Sequence, residues 1–322
     1  MGASTAVTSA LGSRLPTAVL RRVHGRRLRI LGYHGLPDPR AFAAQLEHLS
    51  AHYRPVSGDH VAAAMHGGPA LPERAVWVTF DDGHPEVVAT GAPMLEDAGV
   101  VATMFVCPGV IDTTAPYWWE TVREAVRLGV ADTAGRSPEA VLKRLPDARR
   151  RELVAELAAA VEARTGEPFR RRQLTSRQLR AWVDRGHEAG NHTWDHPVLD
   201  QCPQPEQRRQ VGDAHEALEQ LLGLSPRHFA YPNGNWASGA EAELRARGYR
   251  TALGFDHRLA ARGSHPLRLS RLRVDSDADV ARFRAVACGA HSAVLAARER
   301  IMGGDRHDPR ILPLATRRGG KR

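Results

Sequence analysis

The chain has 322 residues, 42% hydrophobic and 25% charged, enough apolar material for one large α/β domain or two smaller ones. No apolar run approaches the roughly 20 residues of a membrane-spanning helix, and three scattered cysteines (Cys107, Cys202, Cys288) give neither a disulfide framework nor metal spacing. The net charge of +9, with a pI near 10.2, is concentrated at 21–29, at Arg149-Arg150-Arg151, at Arg170-Arg171-Arg172 and in the tail (Arg317, Arg318, Lys321, Arg322).

Residues 1–27 read as a flexible lead-in. The first 19 are rich in Ala, Ser and Thr but lack a basic start and a dense apolar core, so they make a poor signal peptide. That predicts a cytoplasmic protein, with an extracellular or cell-envelope location as the alternative. Residues 28–34 then read as a strand ending in Tyr33-His34, and Phe42, Leu46 and Leu49 repeat at helical spacing. A histidine at a strand end can reach a cavity mouth, so His34 is a candidate proton donor.

Residues 75–80 form an apolar run that ends in Asp81-Asp82-Gly83. Two carboxylates this close do not both stay charged unless a cation intervenes. A metal on one leaves the other ionised as a base. A helix over 92–98, stopped by Gly99, and a buried strand over 100–106 follow.

Residues 111–175 break the rhythm and read as a helical insertion. Ser137-Pro138-Glu139 is a helix start, and Leu153, Val154, Leu157 and Val161 line one face of a further helix. The strand–helix alternation resumes with a helix over 175–184 and a strand over 186–191 that runs into His192-Thr193-Trp194-Asp195-His196-Pro197. The i, i+4 spacing of His192 and His196 is that of a two-histidine metal site on a helix or tight turn, and Pro197 favours the turn. Two imidazoles and a carboxylate suit Zn²⁺, with Co²⁺ or Ni²⁺ as alternatives.

A helix over 205–222 and a strand over 227–231 lead to Tyr231-Pro232-Asn233-Gly234, a tight turn. The Tyr231 amide is a candidate oxyanion donor. A helix over 239–247 and short strands over 249–253 and 270–274 complete the pattern. Strands alternating with helices favour a parallel sheet, and motif residues at several strand ends favour a barrel. The aromatic residues Tyr117, Trp118, Trp119, Trp194 and Trp236 offer faces for sugar rings, with core packing as the commoner role. The basic clusters read mainly as solvated surface. Peripheral contact with an anionic membrane is the alternative, and no specific nucleic-acid partner is expected.

Residues 79–83, 192–196 and 229–234 resemble the first three motifs of the polysaccharide deacetylase family, the NodB-homology or carbohydrate esterase family 4 proteins. Tyr33-His34, Arg54-Pro55-Val56-Ser57, residues 99–106 and residues 269–274 are similar to an exopolysaccharide-associated branch. The resemblance implies an α/β fold, a distorted (β/α)7 TIM-like barrel over 28–285 with the insertion at 111–175, followed by a C-terminal helix and basic tail over 286–322. It also implies metal-dependent removal of acetyl groups from N-acetylated amino sugars in a polysaccharide, oligosaccharide or glycolipid. Carried over by position, Asp81 is the base, Asp82 a metal ligand, and His192 and His196 the remaining protein ligands.

Two departures stand out. Ala230 occupies the place where the family often carries an Arg that orients the base. The later motifs that supply the acid are not evident, Asp275-Ser276-Asp277 being a faint echo, which ranks His34 first as acid. Alternatives are an amidohydrolase acting on a small non-sugar amide or imide, and an inactive glycan- or nucleic-acid-binding relative.

Overall fold

The computed structural model describes residues 14–131, 137–260, 263–290 and 292. The tail arginines and Lys321, and His291, lie outside the described residues. Helix α1 (Arg14–Val23) leads into strand β1 (Arg29–Tyr33). Then follow α2 (Pro39–His52), β2 (Arg54–Pro55), α3 (Gly58–Met65), β3 (Ala75–Phe80), α4 (Ala92–Asp97) and β4 (Ala102–Val106). Three helices, α5 (Trp118–Arg127), α6 (Pro138–Leu142) and α7 (Asp147–Thr165), occupy the expected insertion. The alternation resumes with α8 (Ser176–Asp184), β5 (Glu188–Asn191), α9 (Gln204–Leu222), β6 (His228–Ala230), α10 (Ser238–Ala246), β7 (Thr251–Leu253), β8 (Leu272–Arg273) and α11 (Val280–Ala287).

Local chemistry explains several of these boundaries. Asp38 caps α2 by accepting from the Arg40 and Ala41 amides, with Pro39 at the first helical position. Thr175 and Gln178 form a reciprocal capping box on α8. Gly166 and Gly223 end α7 and α9 in the left-handed region, at φ of 84° and 71°.

The strands pair in the order β7-β6-β5-β4-β3-β1-β8, all parallel, with β2 joined to the foot of β3. One segment then touches both ends of this path. Leu269 bridges in parallel to Leu253 of β7, and Leu272, three residues on, pairs with Leu31 of β1. Seven strands therefore curl into a distorted barrel with helices outside. Every residue of β1, β3 and β4 is buried, as parallel strands covered on both faces must be.

The period-two pleat divides these strands into two cores. Leu31, Tyr33, Val76, Val78, Phe80, Met104 and Val106 face the helices, whereas Ile30, Trp77 and Phe105 belong to the inner cluster with Ala230, Leu253 and Leu269. Continuing the inner alternation upward carries Trp77 to Thr79 and Asp81, Ile30 to Gly32 and His34, and Leu269 to Arg271. The polar residues thus emerge at the C-terminal mouth because they share a strand face with the inner core.

Two sequence expectations change. The stretch expected to be a flexible lead-in contains α1, tied down where His24 Nδ1 lies 3.0 Å from the Cys288 carbonyl. The last helix begins at Val280, inside the expected barrel boundary at 285. The basic clusters are also less free than their spacing suggests. Buried Arg29 donates to the carbonyls of Ala287, Arg27 and His24, and Arg150 and Arg151 bond to Asp147. Among the described residues no helix is long and apolar enough to cross a membrane.

Candidate metal centre and active site

Both carboxylates of the Asp-Asp pair approach His192 Nε2, at 3.8 and 3.5 Å, because the backbone turns between them. Asp81 continues the strand, its amide donating to the Tyr33 carbonyl at 2.9 Å. Asp82 has a φ of +69°, a left-handed conformation rare outside glycine, and this swings its side chain to the same side as Asp81. Both carboxylates are buried, at 2% and 7% exposure.

The second motif approaches from β5. His192 Nε2 and His196 Nε2 stand 3.5 and 3.4 Å from Asp82 Oδ1, with their rings 4.8 Å apart. Asp82 Oδ1 is buried and has no hydrogen-bond partner among the described residues. An orphaned carboxylate oxygen between two imidazole nitrogens is costly unless a cation joins them. A tetrahedral Zn²⁺ with bonds near 2.0–2.1 Å needs donor–donor edges of about 3.4 Å, close to the spacing here. Three protein donors also leave a position open for water or substrate. The residues present therefore fit a divalent cation held by Asp82, His192 and His196.

The surroundings prepare these ligands. His192 Nδ1 lies 2.7 Å from the Ala230 carbonyl, which fixes Nε2 as the nitrogen facing Asp82. Burial holds His196 near a pKa of about 3, outweighing the pull of Asp82, so its imidazole is neutral and its lone pair available. Burial alone would also lower His192, but the charges of Asp81 and Asp82 prevail and raise it. Asp82 ends well below the usual carboxylate range because these imidazoles and His34 overcome its burial.

Asp81 does not lie free. Burial would raise its pKa, but Arg271, by charge and hydrogen bonds, together with His192, more than offsets this and holds it below the ordinary range. Arg271 Nη1 and Nη2 donate to Asp81 Oδ1 and Oδ2 at 2.6 and 2.9 Å. Its Nε donates to the Gly254 carbonyl at 3.1 Å, and its guanidinium lies over the Phe255 ring at 4.1 Å. Arg271 thus orients Asp81 from β8's approach, the role that the absent Arg at position 230 left open. Sequence reasoning missed it. The available signal was a charged residue on the inner face of the 269–274 alternation.

His34 sits at the top of β1, stacked on Phe255 with ring centres 5.9 Å apart. It lies in the field of Asp82 and Asp81, and burial lowers its pKa despite them. His84, two residues past Asp82, places Nε2 4.0 Å from Asp82 Oδ2.

The Tyr231 amide is not free to serve as a donor. It donates to the Leu253 carbonyl at 2.9 Å as part of the β6–β7 ladder, and the Tyr231 hydroxyl donates to the Leu267 carbonyl at 3.2 Å. The expected oxyanion role is therefore corrected: the amide just past β6 is already bonded to the neighbouring strand.

The insertion roofs the centre. The Tyr117 hydroxyl donates to the Asp82 carbonyl at 2.8 Å. Tyr117 stacks on Trp119 at 4.5 Å, and the Trp119 ring stands 4.4 Å from that of His196. Trp236, by contrast, is exposed and lies under Arg268, 4.3 Å from ring to guanidinium.

A polysaccharide deacetylase family model matches residues 68–252, more than half of the chain. The chain belongs to the polysaccharide deacetylase family. Among curated relatives, it is 41% identical over 54 residues to a chitooligosaccharide deacetylase of Azorhizobium caulinodans, covering 16% of this chain and 26% of that protein. A chitooligosaccharide deacetylase of Sinorhizobium fredii is 38% identical over 60 residues, 18% of this chain and 28% of that protein. The matched segments thus span little more than a quarter of these curated relatives. Among solved structures, IcaB from Ammonifex degensii superposes with a TM-score of 0.57 at 21% identity, covering 81% of this chain and 97% of that one. The Streptococcus pyogenes deacetylase PplD gives a TM-score of 0.57 at 18% identity, with 80% and 96% covered. These likenesses show a shared fold, the distorted barrel of the deacetylases.

Proposed function

We propose that this protein is a metal-dependent hydrolase that removes acetyl groups from N-acetylated amino sugars in a polysaccharide, oligosaccharide or glycolipid. One observation carries the reading: buried, unpartnered Asp82 Oδ1 between two imidazole nitrogens, with a second carboxylate beside it gripped by an arginine. The curated relatives named as chitooligosaccharide deacetylases, and the PplD structure described as a complex with acetate, support the substrate class.

Asp82, His192 and His196 would hold the cation, with Zn²⁺ favoured by the donor set. Bound there, such an ion supplies Lewis acidity toward a water and the acetyl carbonyl. Asp81 is kept ionised and oriented, so it can accept the proton of the attacking water. His34, at the end of β1 in the field of Asp81 and Asp82, would pass a proton to the leaving amine. The amide C–N bond breaks, one water is consumed, and acetate and a free amine result. Arg271 keeps Asp81 from rotating away, and the Tyr117–Trp119 roof limits water around the centre.

The test is acetate release from chitooligosaccharides and from β-1,6-linked N-acetylglucosamine oligomers by zinc-loaded protein. Activity is expected in the wild type and lost on chelation. Turnover that survives both chelation and Asp81→Asn rejects this chemistry.

A further inference from the structure

The loop bearing both candidate histidine ligands is held in an unfavourable shape. Thr193 and His196 both adopt left-handed backbone, at φ of 73° and 59°. Such residues cost on the order of 1–3 kcal/mol each and persist only where their surroundings over-determine them. All five amides from His192 to His196 are accounted for. His192 donates to the Val106 carbonyl, Thr193 to Asn191 Oδ1, Trp194 and Asp195 to Gln210 Oε1, and His196 to Thr193 Oγ1. The barrel thus fixes the loop's backbone.

The side chain at the loop's crest is fixed from elsewhere. Arg151 of α7, in the insertion, donates Nη1 and Nη2 to Asp195 Oδ2 and Oδ1 at 2.8 and 3.0 Å. The same guanidinium donates Nε to Asp147 Oδ2 at 2.7 Å, and Asp147 also takes a bond from buried Arg150. From the barrel side, Gln210 Nε2 donates to Asp195 Oδ1 at 2.8 Å. Asp195 lies directly before His196 and is gripped from two elements, α7 of the insertion and α9 of the barrel, which Arg151 also links at 4.0 Å through Glu206. A fork-to-carboxylate contact fixes orientation as well as distance.

We infer that Arg151 is a positioning residue for the metal centre, and that the insertion sets cation affinity through the Arg151–Asp195 clamp by holding His196 in its left-handed ligating pose. This rests on the reading of Asp82, His192 and His196 as the cation site. Partners one shell beyond a ligand typically change metal affinity 10–100-fold. Arg151 acts through one further residue, so the effect sits at the lower end.

The experiment measures Zn²⁺ affinity by chelator competition in the full chain, with thermal unfolding of the zinc-free protein alongside. Arg151→Ala and Asp195→Asn are each expected to weaken zinc binding about tenfold, the double variant no further, and Arg151→Lys less than Arg151→Ala. Arg149→Ala, which removes a guanidinium bonded among the described residues to Glu152 and Glu156 on the same helix, is expected to leave affinity unchanged. If Arg151→Ala fails to fold, Asp195→Asn and Arg151→Lys carry the comparison. Amide exchange of residues 192–196 in zinc-free protein is expected to speed up in the clamp variants. Affinity within twofold of wild type in every clamp variant, or strictly additive losses, overturns the inference while leaving the cation site intact. A wild type that binds no zinc overturns the cation site and this inference with it.

Discussion

Arg271 meets Asp81 through two parallel hydrogen bonds, Nη1 to Oδ1 at 2.6 Å and Nη2 to Oδ2 at 2.9 Å, from 190 residues further along the chain. Both side chains are almost wholly buried, so neither charge has water as a substitute partner. The pair therefore matters more for placing the carboxylate than for net stability, since desolvation offsets most of the attraction.

Arg271→Ala should destabilise the protein by about 3–5 kcal/mol, because it strands a buried carboxylate. Arg271→Lys keeps the charge but loses the fork. It should fold yet lower kcat by about 100-fold, the order expected when a reacting group drifts from its productive position. Urea unfolding and acetate release measure the two effects. A fully active Arg271→Lys protein would show that orientation of Asp81 is unimportant.

Asp81→Asn should lower kcat by roughly 10²–10⁴-fold, the usual worth of a general base. Zinc affinity should stay within a few-fold of wild type, because Asp82 rather than Asp81 faces both imidazoles. Because Arg271 and His192 hold Asp81 below the ordinary carboxylate range, the wild type should show no loss of base function between about pH 5 and 8.

Zinc added at about 100 times its Kd should stabilise the folded chain by about 2.7 kcal/mol. His196→Ala should abolish that gain. Chelation of wild-type protein should reproduce the zinc-free unfolding curve. Differential scanning calorimetry with and without metal separates the cases, and an equal shift in His196→Ala would place the cation elsewhere.

Gly32→Ala should be poorly tolerated. A Cβ at this position would lie 2.4 and 2.7 Å from carbons of the Phe255 ring. That ring packs under Arg271 at 4.1 Å and against His34 at 5.9 Å. Overpacking of this kind costs about 1–3 kcal/mol, and moving Phe255 should also disturb Arg271 and His34. A lowered Tm together with a fall in kcat is the expected result. A loss of stability with unchanged kcat would mean that the ring does not brace the site.

Acid should weaken the fold through His48. Burial, reinforced by His52, Arg284 and Arg21, holds its pKa at about 4 against an ordinary 6.5. Between those values the unfolded chain binds more protons than the folded one, so stability rises with pH and is lost as pH falls through the window. His48→Gln should flatten the dependence of the urea midpoint between pH 6.5 and 4. An unchanged slope would assign the acid sensitivity to other groups.

How much of this was legible beforehand follows from the range of the forces involved. The strand over 75–80, the helix stop at Gly99, the helix start at Ser137-Pro138 and the insertion could be read locally, because propensity and capping act over a few residues. Asp81, Asp82, His192 and His196 were legible as a candidate centre because their spacings are short. Tyr231 was misread because whether its amide is free depends on the neighbouring strand, and Leu253 takes that bond.

By itself, then, the sequence determined the strand–helix alternation, the position of the insertion and the residue types able to hold a cation. Only the tertiary structure decided that Arg271 would orient Asp81, that Arg151 would reach Asp195, and that α1 would dock where a loose lead-in was expected. Each of these depends on barrel closure or on the insertion folding back over the mouth. Such long-range placement is set by the packing of whole elements, which no local window of residues encodes.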